Sequence, residues 1–196
     1  MIGALPETLT VGGEDYSIRT DYRNILQVFE AFQDPELTQE EKWVVAIYLL
    51  FEDFSCADDV FDAVEKGLDL EEAVKQIVWF ISAGKEPGDK KEFPLYDWLQ
   101  DEQMIFSAVN KVAGKEIRLE EYVHWWTFLG CFNEIGEGDF SYVVGIRNKL
   151  KKKKKLEKHE QEYFNSHKDV VELKKSLTKE EMEVEESYKE VWRNLV

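Results

Sequence analysis

Read for period alone, the chain is a series of apolar stripes spaced three and four residues apart, separated by breaks rich in glycine, proline and aspartate. The stretch from Leu119 to Arg147 is the densest of them. Glu120 and Glu121 suit the positive end of a helix dipole, and Tyr122, Trp125, Trp126, Leu129 and Phe132 follow as a wide apolar stripe. Ile135-Gly136-Glu137-Gly138 is expected to end this helix, since glycine supplies a left-handed cap. Asp139 then caps a second, shorter helix from Phe140 to Arg147. So many rings in one stretch make it the expected keel of the core.

The same pattern orders the rest of the chain. Thr8 to Val11, Gly12-Gly13 and Tyr16 to Ile18 read as a β-hairpin, because paired glycines tolerate the positive φ of a tight turn. Thr20 or Asp21 caps a helix carrying Tyr22, Ile25, Leu26, Val28, Phe29 and Phe32, and Asp34-Pro35 breaks it. Thr38 with Glu41 forms a capping box ahead of Trp43 to Phe51, which is apolar almost all round and reads as a central buried helix. Helices are expected over Asp58 to Lys66 and Leu70 to Ser82, and a long amphipathic one from about Tyr96 to Val112, ended by Gly114. The fold class that follows is mainly α: a multi-helix globular bundle with a short N-terminal β-hairpin and a C-terminal charged helical arm.

Charge sets the boundary of that arm. Residues 1–148 carry 12 Lys and Arg against 30 Asp and Glu, net −18, and residues 149–196 carry 13 against 11, net +2. We therefore expect two parts, an acidic helical body over 1–148 and a lysine-rich helical arm over 149–196. Six of the seven positions from Lys149 to Lys155 are lysine. Helical patterns recur at Glu157 to Asn165, Val170 to Lys175 and Thr178 to Leu195, the last with Tyr188, Val191, Trp192 and Leu195 as an apolar stripe. That stripe, with the lysines steering, is expected to fold back on the acidic body until a partner displaces it.

Composition narrows the function by exclusion. A strongly acidic body argues against general nucleic-acid binding, which needs cations to displace counterions from phosphate. No apolar run approaches the roughly 20 residues of a membrane span, and the first residues lack the pattern of a signal peptide. Cys56 and Cys131 sit in apolar helical patterns and read as buried thiols of a reducing compartment. His124 shows no metal-ligand spacing with either cysteine and reads as a helix-face or core histidine. The acidic group Glu52, Asp53, Asp58, Asp59 and Asp62 lacks the order and central glycine of a calcium loop, and reads as a solvated face. No nucleophile–base pair stands out, so no catalytic residue, metal or cofactor is expected.

Trp125 and Trp126 point about 100° apart on a helix, so burying both needs neighbours on two sides. One is expected in the core and the other at an interface. The candidate partner-binding residues are Trp125, Trp126, Tyr188 and Trp192. An unprotected hairpin edge and the surplus of rings also lead us to expect a homo-oligomer.

Three segments carry a family resemblance: Ile18-Arg19-Thr20-Asp21-Tyr22-Arg23 after the hairpin, the HWWTFLGCFNEI segment from His124, and FSYVVGIR from Phe140. Over about residues 5 to 150 the chain resembles small phage tail proteins encoded between the tail-tube and tape-measure genes of long-tailed phages of Gram-positive hosts. The resemblance implies a helical tail assembly chaperone. Such a protein coats the tape-measure protein in the cytoplasm of the bacterial host and helps the tail tube polymerise around it; charge and hydropathy, as above, add the expectation of no nucleic-acid and no membrane partner. It implies no active-site residues. The alternative carried by charge alone is an acidic inhibitor that imitates nucleic acid.

Overall fold

A computed structural model describes residues 3–85 and 95–174. The hairpin forms where its glycines allow: β1 (Thr8–Val11) pairs antiparallel with β2 (Glu14–Ser17), Leu9 opposite Tyr16. Gly12 and Gly13 both have positive φ, +61° and +81°, as a two-residue turn of this twist requires. Alternation then sends Leu9 and Val11 into the core and leaves Thr8 and Thr10 outside.

The helices are α1 (Tyr22–Gln33), α2 (Gln39–Leu50), α3 (Ala57–Glu65), α4 (Leu70–Ile81), α5 (Glu102–Ala113), α6 (Trp125–Asn133), α7 (Asp139–Lys151), α8 (Lys158–Ser166) and α9 (Lys168–Val171). The molecule is therefore mainly helical with an N-terminal hairpin, as its pattern indicates. Local signals place several ends well. Asp21 accepts from the Arg23 amide at 2.9 Å and caps α1. Thr38 and Glu41 satisfy each other's amides at the start of α2. Gly114, at φ +70°, closes α5. None of the described helices is long and apolar enough to cross a membrane.

One core binds α1, α2, α4, α5 and α6 to the hairpin. Tyr22 stacks on Phe128 with centroids 4.6 Å apart, and Trp98 lies between Phe29 at 5.5 Å and Phe132 at 4.7 Å. A smaller apolar cluster, Ile146, Leu156 and Val171, holds α7, α8 and α9 together.

Four expectations are corrected. The keel helix starts at Trp125, several residues later than its pattern implies. Backbone pairing across the chain prevents an earlier start: the Tyr22 amide donates to Val123 O, the Trp125 amide to Thr20 O, and the Val123 amide to the Asp21 carboxylate. The chain is held extended there, and Tyr122 projects from the body at 56% exposure. No left-handed glycine ends α6: Glu134 follows it in right-handed geometry, Gly138 is extended, and Asp139 is the first residue of α7 rather than its cap. The segment beginning at Tyr96 is not helical until Glu102, because Asp97 accepts the amides of Leu99 and Gln100 and folds them into a turn. Cys56 is exposed and Cys131 half-buried, so neither is a core thiol.

The lysine run is a helix end and a turn. α7 continues through Lys149 to Lys151, past the boundary expected after residue 148. It closes on Lys153 at φ +52°, whose amide donates to Leu150 O at 2.9 Å while that of Lys154 donates to Lys149 O at 2.8 Å. Lys151 to Lys155 are exposed, and Leu156 returns to the small cluster.

Candidate partner-binding surface

The segments that carry the family resemblance hold the fold together. Arg19 reaches over the C-terminal end of α2 and donates to the carbonyl of Tyr48, which the helix end leaves without a backbone partner, and to those of Phe51, Glu52 and Phe54 just beyond it. Arg23 pairs with Asp21 at 3.1 Å, lies over the Tyr22 ring, and donates to the carbonyls of Arg118 and Glu120. His124 caps α6: its Nδ1 accepts from the Trp126 amide at 3.0 Å, which leaves the Nε2 hydrogen to donate to Pro6 O at 3.1 Å. Nearby, Glu116 accepts from both Arg118 and Asn110, and those bonds hold its carboxyl down to about 2.

Arg147, the last residue of the FSYVVGIR segment, is 6% exposed and meets Asp101, which is 1% exposed. The contact is two-pronged, at 2.5 and 2.9 Å. The same guanidinium donates to the carbonyls of Leu95, Val170 and Val171. One side chain thus ties α7 to the start of α5 and to α9.

Of the four candidate partner-binding residues, Trp125 lies in the core at 1% exposure, with Nε1 donating to Ile81 O at 2.9 Å. Trp126 is half-buried against Trp79 and Phe80, and its Nε1 donates to Phe80 O at 2.8 Å. Together the two indoles satisfy carbonyls at the end of α4. Gly84, at φ +76°, lies against the Trp126 ring, where an added Cβ would sit 3.4 Å from it. Tyr188 and Trp192 lie outside the described residues.

One apolar face that borders open grooves is on α2. Its inner side sends Ala46, Ile47 and Leu50 into the core, and its outer side carries Val45, Tyr48 and Leu49 half-buried. α2 is therefore not buried all round, as its composition suggests, and its outer face borders two grooves. One, about 330 Å³, runs between α2 and α3 and is walled by Val44, Ala57 and Phe61. The other, about 640 Å³, runs between α2 and α1 and is walled by Ala31, Leu49 and Leu99. Leu37, Val45 and Tyr48 line both, so the two grooves adjoin along this face and together are called the trough below. Phe61, at 52% exposure, lines the first groove and Leu99 the second. A third groove, about 620 Å³, lies between α5 and the α6–α7 turn, with Met104, Val112, Ile135 and Phe140 in its wall.

The comparisons decide the family. The model of the bacteriophage Gp15 protein family matches residues 1–173. This chain belongs to the bacteriophage Gp15 protein family. Comparison with curated proteins and with solved structures gave no match. The Gp15 match runs from the hairpin through α9 and so takes in the lysine turn and the carbonyls that hold Arg147.

For this Gp15-family chain, the sequence singled out Trp125 and Trp126, which α6 carries, and did not indicate the open outer face of α2. The available signal was the absence of a polar face on α2, a pattern that fits either complete burial or one side open to a partner. Among the described residues no group of His, Cys, Asp and Glu is placed to hold a metal. Within the acidic group around α3, Asp59 accepts the amides of Ser55 and Cys56 at the helix start, which lowers its carboxyl below the usual range.

Proposed function

We propose that this Gp15-family protein is a non-enzymatic tail assembly chaperone that binds and solubilises the tape-measure protein in the cytoplasm of the bacterial host. The observation that carries the reading is the outer face of α2, an apolar trough open to solvent on a body otherwise rich in carboxylates. Long helix-rich chains with apolar stripes aggregate unless those stripes are covered, and laying a helix into an apolar groove is a general way to cover one. Membership of a bacteriophage family supports the setting. The protein acts as a homo-oligomer, presenting several troughs along one long partner.

Co-expression with the tape-measure protein of the same phage tests this. The expected result is a higher soluble yield of the tape-measure protein and co-purification of the two. Unchanged solubility without co-purification contradicts it. Light scattering at micromolar concentration that found only a 23.1 kDa species would remove the oligomer.

A further inference from the structure

The trough on α2 has chemistry that selects its occupant, and this inference rests on the chaperone reading only for the partner's identity. Its two grooves are bordered by apolar residues and share Leu37, Val45 and Tyr48. Its border is acidic: Glu30, Asp34 and Glu41 line the grooves, and exposed Glu36, Glu40 and Asp58 neighbour lining residues along the chain. Among the described residues lining the two grooves there is no lysine or arginine. The third groove differs, since Lys111 lines it beside Glu134 and Glu137.

We infer that the trough docks a cationic amphipathic helix, one whose apolar stripe is flanked by lysine or arginine. The stripe meets α2 between Phe61 and Leu99 through residues spaced i, i+3, i+4 and i+7. The flanking cations lie over the acidic border, where opposite charge speeds encounter and rejects helices with acidic flanks. A docked helix covers Phe61 and Leu99, which stand exposed, one in each groove. On the proposed function, the segments of the tape-measure protein that this surface takes are those with basic flanks.

The test uses the full chain and two designed peptides of about 20 residues with the same leucine stripe at helical spacing. One is flanked by lysines and the other by glutamates. Binding is read by fluorescence anisotropy, and the fold of each variant is checked by circular dichroism. The lysine-flanked peptide is expected to bind at least tenfold more tightly. Phe61→Ser is expected to weaken it about tenfold, as loss of an exposed aromatic anchor does. The pair Glu30→Lys and Asp58→Lys should weaken it similarly, and the control pair Glu134→Lys and Glu137→Lys should leave it within about twofold. Equal loss from control and trough pairs means that overall negative charge alone attracts the peptide, and overturns the inference. So does binding indifferent to Phe61→Ser.

Co-purification separates this inference from the function. If the tape-measure protein co-purifies equally with wild type and Phe61→Ser, the trough is wrong and the chaperone reading stands. If the peptides behave as expected and the tape-measure protein does not co-purify, the trough stands and the chaperone reading falls.

Discussion

Around Trp125 the chain is held by ring against ring: Phe128 at 5.7 Å, Phe29 and Trp98 at 5.9 Å, with Tyr22 stacked beyond. Around Arg147 it is held by charge and carbonyls, with Asp101, Leu95, Val170 and Val171 converging on one guanidinium and a small apolar cluster beside it. The difference is in how each region fails. Apolar packing is spread over many contacts and tolerates volume-conserving replacement at a cost of about 1.5 kcal/mol or less. A buried ion pair is concentrated in two side chains, and removing one leaves the other charged, buried and unmatched.

The largest expected effect comes from cutting the chain after residue 148. Truncation removes the carbonyls of Val170 and Val171 together with Leu156 and Val171 of the small cluster, and α7 loses its last turn. We expect a larger fall in melting temperature than from any single substitution below. A truncated protein that melts like the full chain would show that the last turn of α7, with α8 and α9, adds nothing to the body.

Arg147→Ala is next, at about 3–5 kcal/mol in chemical denaturation, because Asp101 stays behind as an unpaired buried carboxylate. Replacing the pair together, Arg147→Met with Asp101→Leu, recovers only part of that loss, since the carbonyls of Leu95, Val170 and Val171 still lack their donor. Leu50→Met in the larger core, a volume-conserving change, should cost about 1.5 kcal/mol or less. If the conservative Arg147→Lys is tolerated as well as Leu50→Met, the two regions do not differ as described.

The distinction also explains what could be read ahead of the structure. Thr38 with Glu41, Gly12 with Gly13, and Gly114 act through neighbours in sequence, and the elements they delimit begin or end as their local chemistry demands. The extended run at Tyr122 to His124 obeys a partner a hundred residues away: Asp21 and Thr20 claim its backbone, and propensity yields to that pairing. Arg147 and Asp101 lie 46 residues apart on elements with no common motif, so their pairing has no local signature. Trp125 and Trp126 stood out as conspicuous residues. Which side of α2 stays open is set by where α1 and α3 pack, and an all-apolar helix carries no mark of that.

Two smaller effects sharpen the contrast. Lys153 closes α7 in a left-handed conformation that favours glycine, so Lys153→Gly should stabilise the C-terminal region by about 1 kcal/mol, seen as a higher denaturation midpoint. In the body, the Glu116 carboxyl is held at about 2, below its ordinary 4.5, by Arg118 and Asn110. A lowered value means that the stabilisation is fully present above about pH 4.5 and is lost as pH falls toward 2. Glu116→Gln should flatten that part of the melting-temperature profile between pH 5 and pH 2. An unchanged profile would place the acid sensitivity elsewhere.

The most direct test of the account joins function to surface in the infected cell. A photo-activatable phenylalanine analogue is placed at Phe61, in the α2 trough, and separately at Val112, in the groove beside α5. After irradiation, cross-linked products are identified by mass spectrometry. The account predicts a cross-link from position 61 to the tape-measure protein, within a peptide carrying an apolar stripe and flanking lysines or arginines, and none from position 112. A tape-measure cross-link from position 112 alone, or none from either position, would contradict it.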